Sequence, residues 1–176
     1  MKETNTNYEM AFNFYTRKVK DMKTGNISRT GIKKIAKPVL LLAVIKGIEA
    51  GVFKSNFIEY EKLAIIYETV FKQYEDLAKQ SEHTPLYYPF YYLKTDQFWH
   101  LNPRTPNSEL KSNSPTAAWI RNNVDHAYID QTLWEMLQEK EYRCKFAEFI
   151  IDEKIKTATA SCRSMLKVFL SWLVAI

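Results

Sequence analysis

The chain has 176 residues, of which 46% are hydrophobic and 26% are charged, and its formal net charge is +5. This length fits one domain with a substantial core, and this composition argues against intrinsic disorder. The two cysteines, Cys144 and Cys162, have no CxxC spacing and predict neither a disulfide framework nor a zinc cluster. Because we find no signal peptide and no apolar run long enough to span a bilayer, we expect a cytoplasmic protein with no membrane partner.

The positive charge is concentrated towards the N-terminus. Residues 1–54 contain eleven lysines and arginines and four acids, a balance of +7. Eight of those cations lie between Arg17 and Lys37, where Asp21 is the single acid. Such a cluster attracts polyanions, of which nucleic acid is the commonest for a cytoplasmic protein. A solvated basic surface without a ligand is the alternative interpretation.

Hydrophobic periodicity predicts helices through most of the first half of the chain. We expect an amphipathic helix over Tyr8–Met22, a largely buried helix that begins at Pro38, and a third helix over Tyr60–Lys79. Gly51 is expected to stop the second helix. Residues 53–58 are a candidate short strand.

An aromatic segment follows the third helix. Seven aromatic residues occupy the thirteen positions from Tyr87 to Trp99, interrupted by the polar residues 94–97. Their β-propensity favours two strands joined by a tight turn. Alternation along such strands would place Phe90, Tyr92 and Lys94 on one face and Tyr91 and Leu93 on the other. The prediction is therefore an aromatic hairpin with one face available to solvent or a partner.

The overall prediction is an α+β, mostly helical fold with a winged-helix-like core, in which helices are followed by the two-stranded aromatic hairpin. Residues 102–116, rich in proline, serine and asparagine, predict a loop. Helical patterns return at 117–122, at 131–137 with Asp130 as the cap, and at 139–156. We accordingly divide the chain into a recognition core at 1–101, a loop at 102–116 and a helical extension at 117–176 that packs on the core.

Patterns typical of catalysis are absent from the sequence. The three histidines lie in no HxxxH or HExxH arrangement, and the four glycines form no phosphate-binding loop. No GxSxG nucleophile pattern occurs either. We therefore expect no catalytic residues, no metal site and no cofactor.

Patterns typical of binding are clearer. Aromatic side chains can stack on bases or pack against sugars, while lysine and arginine neutralise phosphates. The candidates of this kind are Tyr88, Pro89, Tyr91, Tyr92, Lys94, His100 and Arg104. The expected core face of the hairpin is Phe90, Leu93, Phe98, Trp99 and Leu101.

Two motifs together resemble a known family. They are KPVLLLAVIKGIEAG at Lys37–Gly51 and YPFYYLKTDQFWHL at Tyr88–Leu101. The pair is similar to the N-terminal recognition domain of bacterial HNH restriction endonucleases, which include modification-dependent enzymes whose sulfur-binding domain recognises phosphorothioate DNA. A third stretch, Ala127–Ile151, is similar to the helical segment that follows in this family. The family's HNH nuclease has no counterpart in the present sequence.

The resemblance implies double-stranded DNA, ordinary or modified, as the partner of a module that is not catalytic by itself. The expected protein partner is either a second copy of the chain, in a homodimer, or a separate nuclease. A shallow apolar cup rimmed by cations would favour sulfur over oxygen, and Tyr88, Pro89 and Tyr91 are its candidate walls. The candidate phosphate contacts, close to the start of the buried helix, are Arg29, Lys33, Lys34 and Lys37. The alternative function is a protein–protein interaction domain that uses the aromatic hairpin.

Overall fold

Seven α-helices and a two-stranded sheet make up the residues that a computed structural model of the chain describes, 2–28 and 30–159. The helices are α1 (Lys2–Asp21), α2 (Ala36–Glu49), α3 (Tyr60–Tyr74), α4 (Tyr87–Tyr92), α5 (Ala117–Asn123), α6 (Gln131–Gln138) and α7 (Lys140–Ile150). The strands are β1 (Trp99–Pro103) and β2 (Val124–Ile129). A 3-10 turn, Leu93–Asp96, follows α4, and a π-helical turn, Ile151–Ile155, follows α7.

Helix α2 lies at the centre of the core. All of its residues except Lys37, Lys46 and Glu49 are buried, and it packs against α3, α4, α6 and α7. The helix begins two residues before Pro38, which it tolerates because the first-turn N–H groups of a helix have no intrahelical acceptor. Gly51, with a φ of +69°, follows the end of the helix as predicted. A buried helix of this kind fixes the position of the residues at its N-terminus.

Gly47 allows α2 to approach the chain that follows it. A Cβ atom at this position would lie 2.2 and 2.4 Å from ring carbons of Phe53, which is itself buried. We expect Gly47→Ala to lower the free energy of unfolding by about 1–3 kcal/mol, because the ring of Phe53 must be displaced from a packed core. The gain in helix propensity, about 1 kcal/mol, opposes this loss. Urea denaturation measures the net effect, and Gly51→Ala, which has open space but a positive φ, is the comparison for backbone strain alone.

Helix α1, at the N-terminal end of the described residues, packs against α6 and α7, which lie near their C-terminal end. The hydroxyl of Tyr15 donates a hydrogen bond to Asp130 Oδ2 at 3.0 Å. Burial, and then this hydrogen bond to a carboxylate, raise the pKa of Tyr15. Lys154 Nζ donates to the carbonyl oxygens of Lys20 and Met22 at the end of α1, at 2.7 and 3.2 Å.

The aromatic segment differs from the prediction. Residues 87–92 form helix α4 and not a strand, so the prediction of an aromatic hairpin is wrong. Phe90, Tyr91 and Leu93 are all buried, whereas strand alternation had placed them on two faces. The indole Nε1 of Trp99 donates to the carbonyl oxygen of Phe90 at 2.8 Å, and the two rings pack edge to face at 5.4 Å. Packing of this kind overrides the local β-propensity of tyrosine and phenylalanine.

The sheet is formed by strands distant in sequence. β1 pairs antiparallel with β2, from Trp99 opposite Ile129 to Pro103 opposite Val124, with an irregularity after Asn102. Asn102 and Pro103 therefore belong to a strand and not to the predicted loop, and β2 lies in the predicted helical extension. The division of the chain into parts at 101 and 116 stays a prediction. The sheet connects the predicted recognition core with the predicted helical extension, because β1 begins in the first and β2 lies in the second.

The remaining elements follow the periodicity closely. Helix α6 matches its predicted segment, and α7 with the π-helical turn that follows it covers the predicted 139–156 almost completely. Helix α1 begins six residues before the predicted start, and α3 ends at Tyr74, five residues before the predicted end. Of the candidate strand at 53–58, Ile58 alone pairs, in an isolated bridge with Ala127. The α+β, mostly helical class is confirmed, and the winged-helix arrangement is not. None of the helices within the described residues is both long and apolar enough to cross a membrane.

Candidate nucleic-acid interface

A cavity of about 270 Å³ lies between the segment that follows α1, the start of α2 and the exposed side of α4. It brings together five residues that the sequence predicts for the site: Lys34, Lys37, Tyr88, Pro89 and Tyr92. The other lining residues are Lys23, Thr24, Gly25, Asn26, Ala36 and Thr84. We call this space the basic aromatic cavity, since three lysines and two tyrosines line it.

The basic wall is built from a short folded-back segment. Asn26 and Lys33 form an antiparallel bridge, and the backbone N–H of Lys34 donates to the carbonyl oxygen of Gly25 at 2.8 Å. The side-chain amide of Gln80 fixes the same segment: its oxygen accepts from the N–H of Ile35 and its nitrogen donates to the carbonyl of Lys33. Consequently the chain enters α2 in a fixed direction, with Lys37 in the first turn.

Lys33 and Lys34 lie on opposite sides of this segment. Successive side chains alternate where the chain is extended, as it is at the bridge. Lys34 lines the basic aromatic cavity, whereas Lys33 lines a neighbouring cavity of about 540 Å³ that is also lined by Glu153 and Lys154. Lys23 borders both cavities. Arg29, the remaining predicted phosphate contact, lies outside the described residues.

The aromatic wall is the exposed side of α4. Tyr88 and Tyr92 lie one turn apart, and their ring centroids are 4.7 Å from each other. Tyr88 is 49% exposed, whereas Pro89 between them is buried. Burial is the largest cause of a raised pKa for the phenol of Tyr92. The two rings add apolar surface beside the lysines of the cavity.

The cations of the cavity are not equivalent. Lys37 Nζ lies 2.5 Å from Asp96 Oδ2, and the two side chains are only 15% and 11% exposed. Among the described residues, Lys23 and Lys34 have no carboxylate within ion-pair distance. An entering anion would therefore meet at least two uncompensated ammonium groups and two tyrosine rings.

Tyr91 and Lys94 do not line the cavity. Tyr91 is buried, so the prediction that it faces solvent or a ligand is wrong. Its hydroxyl donates to the carbonyl of Leu110 at 3.2 Å and accepts from the N–H of Ser112 at 2.7 Å. Lys94 Nζ donates to the same carbonyl at 2.8 Å and lies 3.7 Å from the centroid of the Tyr91 ring. These two side chains hold the loop between β1 and α5 against α4.

His100 and Arg104 also lie away from the cavity, on and beside the sheet. His100 stacks on Tyr128 with a centroid distance of 4.9 Å, and its Nε2 is 2.6 Å from Asp130 Oδ1. Arg104 donates to the carbonyl oxygens of Arg121 and Val124. Each of these predicted contacts thus has a structural partner in the fold.

Several residues that shape the cavity are not predictable from the sequence pattern. Thr84 is placed there because its carbonyl accepts a hydrogen bond from the buried hydroxyl of Tyr67 at 2.8 Å, a contact that no local pattern predicts. Lys23 lies in the basic segment 17–37, but its charge alone does not distinguish it from the other cations there. Within the described residues, no three histidine, cysteine, aspartate or glutamate side chains are grouped so as to hold a metal ion.

Comparison with solved structures identifies the class of fold. No protein-family model matches the chain, and the search of curated proteins found no match. Its structural neighbours are sulfur-binding domains of McrA-type restriction proteins, so the resemblance found in the sequence is confirmed at the level of the fold.

Three solved structures are similar to this chain in fold. The sulfur-binding domain of SprMcrA, complexed with phosphorothioated DNA, has a TM-score of 0.60 and 13% identity over 86% of this chain and 93% of that one. The sulfur-binding and SRA domains of ScoMcrA, also complexed with phosphorothioated DNA, give 0.58 and 18% over 78% and 41%. The type IV phosphorothioation-dependent restriction endonuclease ScoMcrA gives 0.57 and 19% over 79% and 29%. This chain thus spans less than half the length of the two ScoMcrA chains.

Proposed function

We propose that the chain is a DNA-recognition domain that takes a phosphorothioate of double-stranded DNA into the basic aromatic cavity. The observation that carries this proposal is the meeting of Lys34 and Lys37 with Tyr88, Pro89 and Tyr92 around one open space. The fold shared with domains that are complexed with phosphorothioated DNA supports it.

The chemistry of the cavity suits sulfur. A sulfur atom that replaces a phosphate oxygen is larger, more polarisable and more weakly hydrated, so it gives up less hydration when it meets an apolar wall. Ring surfaces of Tyr88 and Tyr92 offer that wall, and the ammonium groups of Lys23 and Lys34 offset the negative charge. An ordinary phosphate oxygen would lose its hydration on the same wall without compensation, and this difference in cost is the source of specificity.

In this proposal the domain reads DNA and does not cleave it. A separate nuclease would supply cleavage, and a second copy of this chain, in a homodimer, is the alternative protein partner. Because DNA is the proposed ligand, the proposed location is the cytoplasm.

Fluorescence anisotropy with matched ordinary and phosphorothioate duplexes, at two salt concentrations, tests the assignment. We expect the phosphorothioate duplex to bind about tenfold more tightly, the size of effect typical of one apolar contact in a fitted pocket. Both affinities should fall with salt, since the lysines release counterions from the phosphates.

Tyr88→Ala and Tyr128→Ala form a matched pair for the same measurement. Both remove an exposed tyrosine, but Tyr128 lies on the sheet and does not line the cavity. Tyr88→Ala should remove most of the preference for the phosphorothioate duplex, and Tyr128→Ala should leave it intact. Equal affinity of the wild-type chain for the two duplexes would exclude reading of the modification, and no binding to either would favour the alternative function, a protein–protein interaction domain.

A further inference from the structure

Asp96 lies next to the basic aromatic cavity without lining it. It is the last residue of the 3-10 turn that follows α4, and this turn is fixed by the hydroxyl of Thr95, which donates to the carbonyl of Tyr92 at 2.9 Å. Beyond it, Gln97 adopts a left-handed conformation and accepts a hydrogen bond from Lys18 Nζ at 3.1 Å. The carboxylate of Asp96 is therefore held in one place, against the first turn of α2.

The partner of this carboxylate is the ammonium group of Lys37, whose side chain also lines the cavity. An ammonium that is 2.5 Å from one carboxylate oxygen and 3.5 Å from the hydroxyl of Thr95 is directed towards the turn. The part of Lys37 left to line the cavity is then its aliphatic stem, which behaves as apolar surface. Lys37 thus adds to the apolar wall, while its charge is compensated by Asp96.

The geometry points to Asp96 as the residue that sets the preference of the cavity between sulfur and oxygen, an inference that rests on the proposed function. An ammonium free to turn into the cavity would donate a strong charge-assisted hydrogen bond to a phosphate oxygen. Sulfur is a weaker acceptor and would gain less from the same group. By holding the ammonium of Lys37 away, Asp96 withholds from ordinary phosphate a further charge-assisted hydrogen bond, in addition to any that Lys23 and Lys34 donate.

The variant Asp96→Asn tests this role, because it keeps the shape of the side chain and removes its charge. We expect its affinity for the ordinary duplex to rise about fivefold, and its affinity for the phosphorothioate duplex to rise by a smaller factor. The ratio of the two affinities therefore falls. Glu141→Gln makes the same change of charge on α7, where Glu141 is paired with Lys145, and should leave the ratio unchanged.

A second variant covers the case in which Asp96→Asn weakens the fold. The double variant Lys37→Met with Asp96→Asn removes both charges and leaves no uncompensated ion in a half-buried position. The methionine side chain at position 37 still offers an apolar stem to the cavity, so the double variant should recover the wild-type ratio of affinities. A role confined to fold stability would change the midpoint of urea denaturation in both variants without changing this ratio.

The results separate two failures. If the wild-type chain binds neither duplex, or binds both equally, the proposed function itself is wrong. If the wild-type chain prefers the phosphorothioate duplex and Asp96→Asn changes both affinities by one factor, or lowers both, the function stands and the role of Asp96 is overturned. A double variant whose ratio stays as low as that of Asp96→Asn would also overturn it.

Discussion

Replacing Lys34 by glutamate is expected to weaken binding to phosphorothioate DNA by at least about tenfold, and to reduce the slope of log affinity against log salt by roughly one. Lys34 lines the basic aromatic cavity and has no carboxylate partner among the described residues, so its full charge is available to the ligand. Reversal of that charge places a carboxylate where the proposed function puts the DNA backbone. Anisotropy titrations at several salt concentrations measure both quantities.

Lys33→Glu is the matched control for this variant. The two lysines are adjacent in sequence and carry the same charge, but Lys33 is exposed and faces the neighbouring cavity. We expect Lys33→Glu to weaken binding to ordinary and modified duplexes by one small factor, as for a non-specific contribution to the electrostatic field. Equal losses from the two reversals would contradict a localised site and would favour a general basic surface.

Trp99→Ala is expected to have the largest effect on stability, a loss of about 3–5 kcal/mol in the free energy of unfolding. Trp99 is fully buried at the start of β1, where its ring packs against Phe90 and its indole N–H binds the carbonyl of the same residue. Truncation leaves a large cavity and an unsatisfied carbonyl in α4. Since a domain of this size is stabilised by roughly 5–15 kcal/mol, such a loss takes the variant close to unfolding.

Urea denaturation followed by circular dichroism measures this loss, and Trp99→Phe separates its two causes. Phenylalanine keeps most of the buried apolar surface but cannot donate to the carbonyl of Phe90. We expect it to cost about 1–3 kcal/mol, the penalty for an unsatisfied buried acceptor together with a small void. A variant Trp99→Phe as unstable as Trp99→Ala would show that the hydrogen bond, and not the packing, holds α4 against β1.

The helices of this protein are largely predictable because their apolar residues recur at helical spacing. Helix α2 is recognised without periodicity, from the continuous run Val39–Ile45 between a proline and a glycine. Helix α4 is not, since its sequence YYPFYY has high β-propensity and a proline. What makes it helical is packing against α2 and the hydrogen bond from Trp99, and neither is visible in the local pattern.

Strand β2 was missed for a related reason. Its residues, VDHAYI, alternate imperfectly and are followed at once by a predicted helix. Its partner β1 lies more than twenty residues earlier, so neither strand is part of a short hairpin that turn residues could reveal. Pairing over such a distance depends on the rest of the fold.

Part of the candidate site was predictable and part was not. Composition and the resemblance together select Lys34, Lys37, Tyr88, Pro89 and Tyr92, all of which line one cavity. The same reasoning cannot separate them from Tyr91, Lys94, His100 and Arg104, because the distinction depends on which side of α4 or of the sheet each side chain lies. The sequence does not predict that Asp96 takes part in the site, since its ion pair with Lys37 joins positions 59 residues apart.

The closure of the fold by α1 has a consequence for synthesis of the chain. Helix α1 leaves the ribosome before α6 and α7, on which it packs, and its Tyr15 is hydrogen-bonded 115 positions away, to Asp130. Contacts between opposite ends of a chain raise the contact order and slow folding. Until α6 and α7 have both been translated, α1 lacks part of its native packing surface, so the nascent domain completes its core only after almost all of the described residues have emerged.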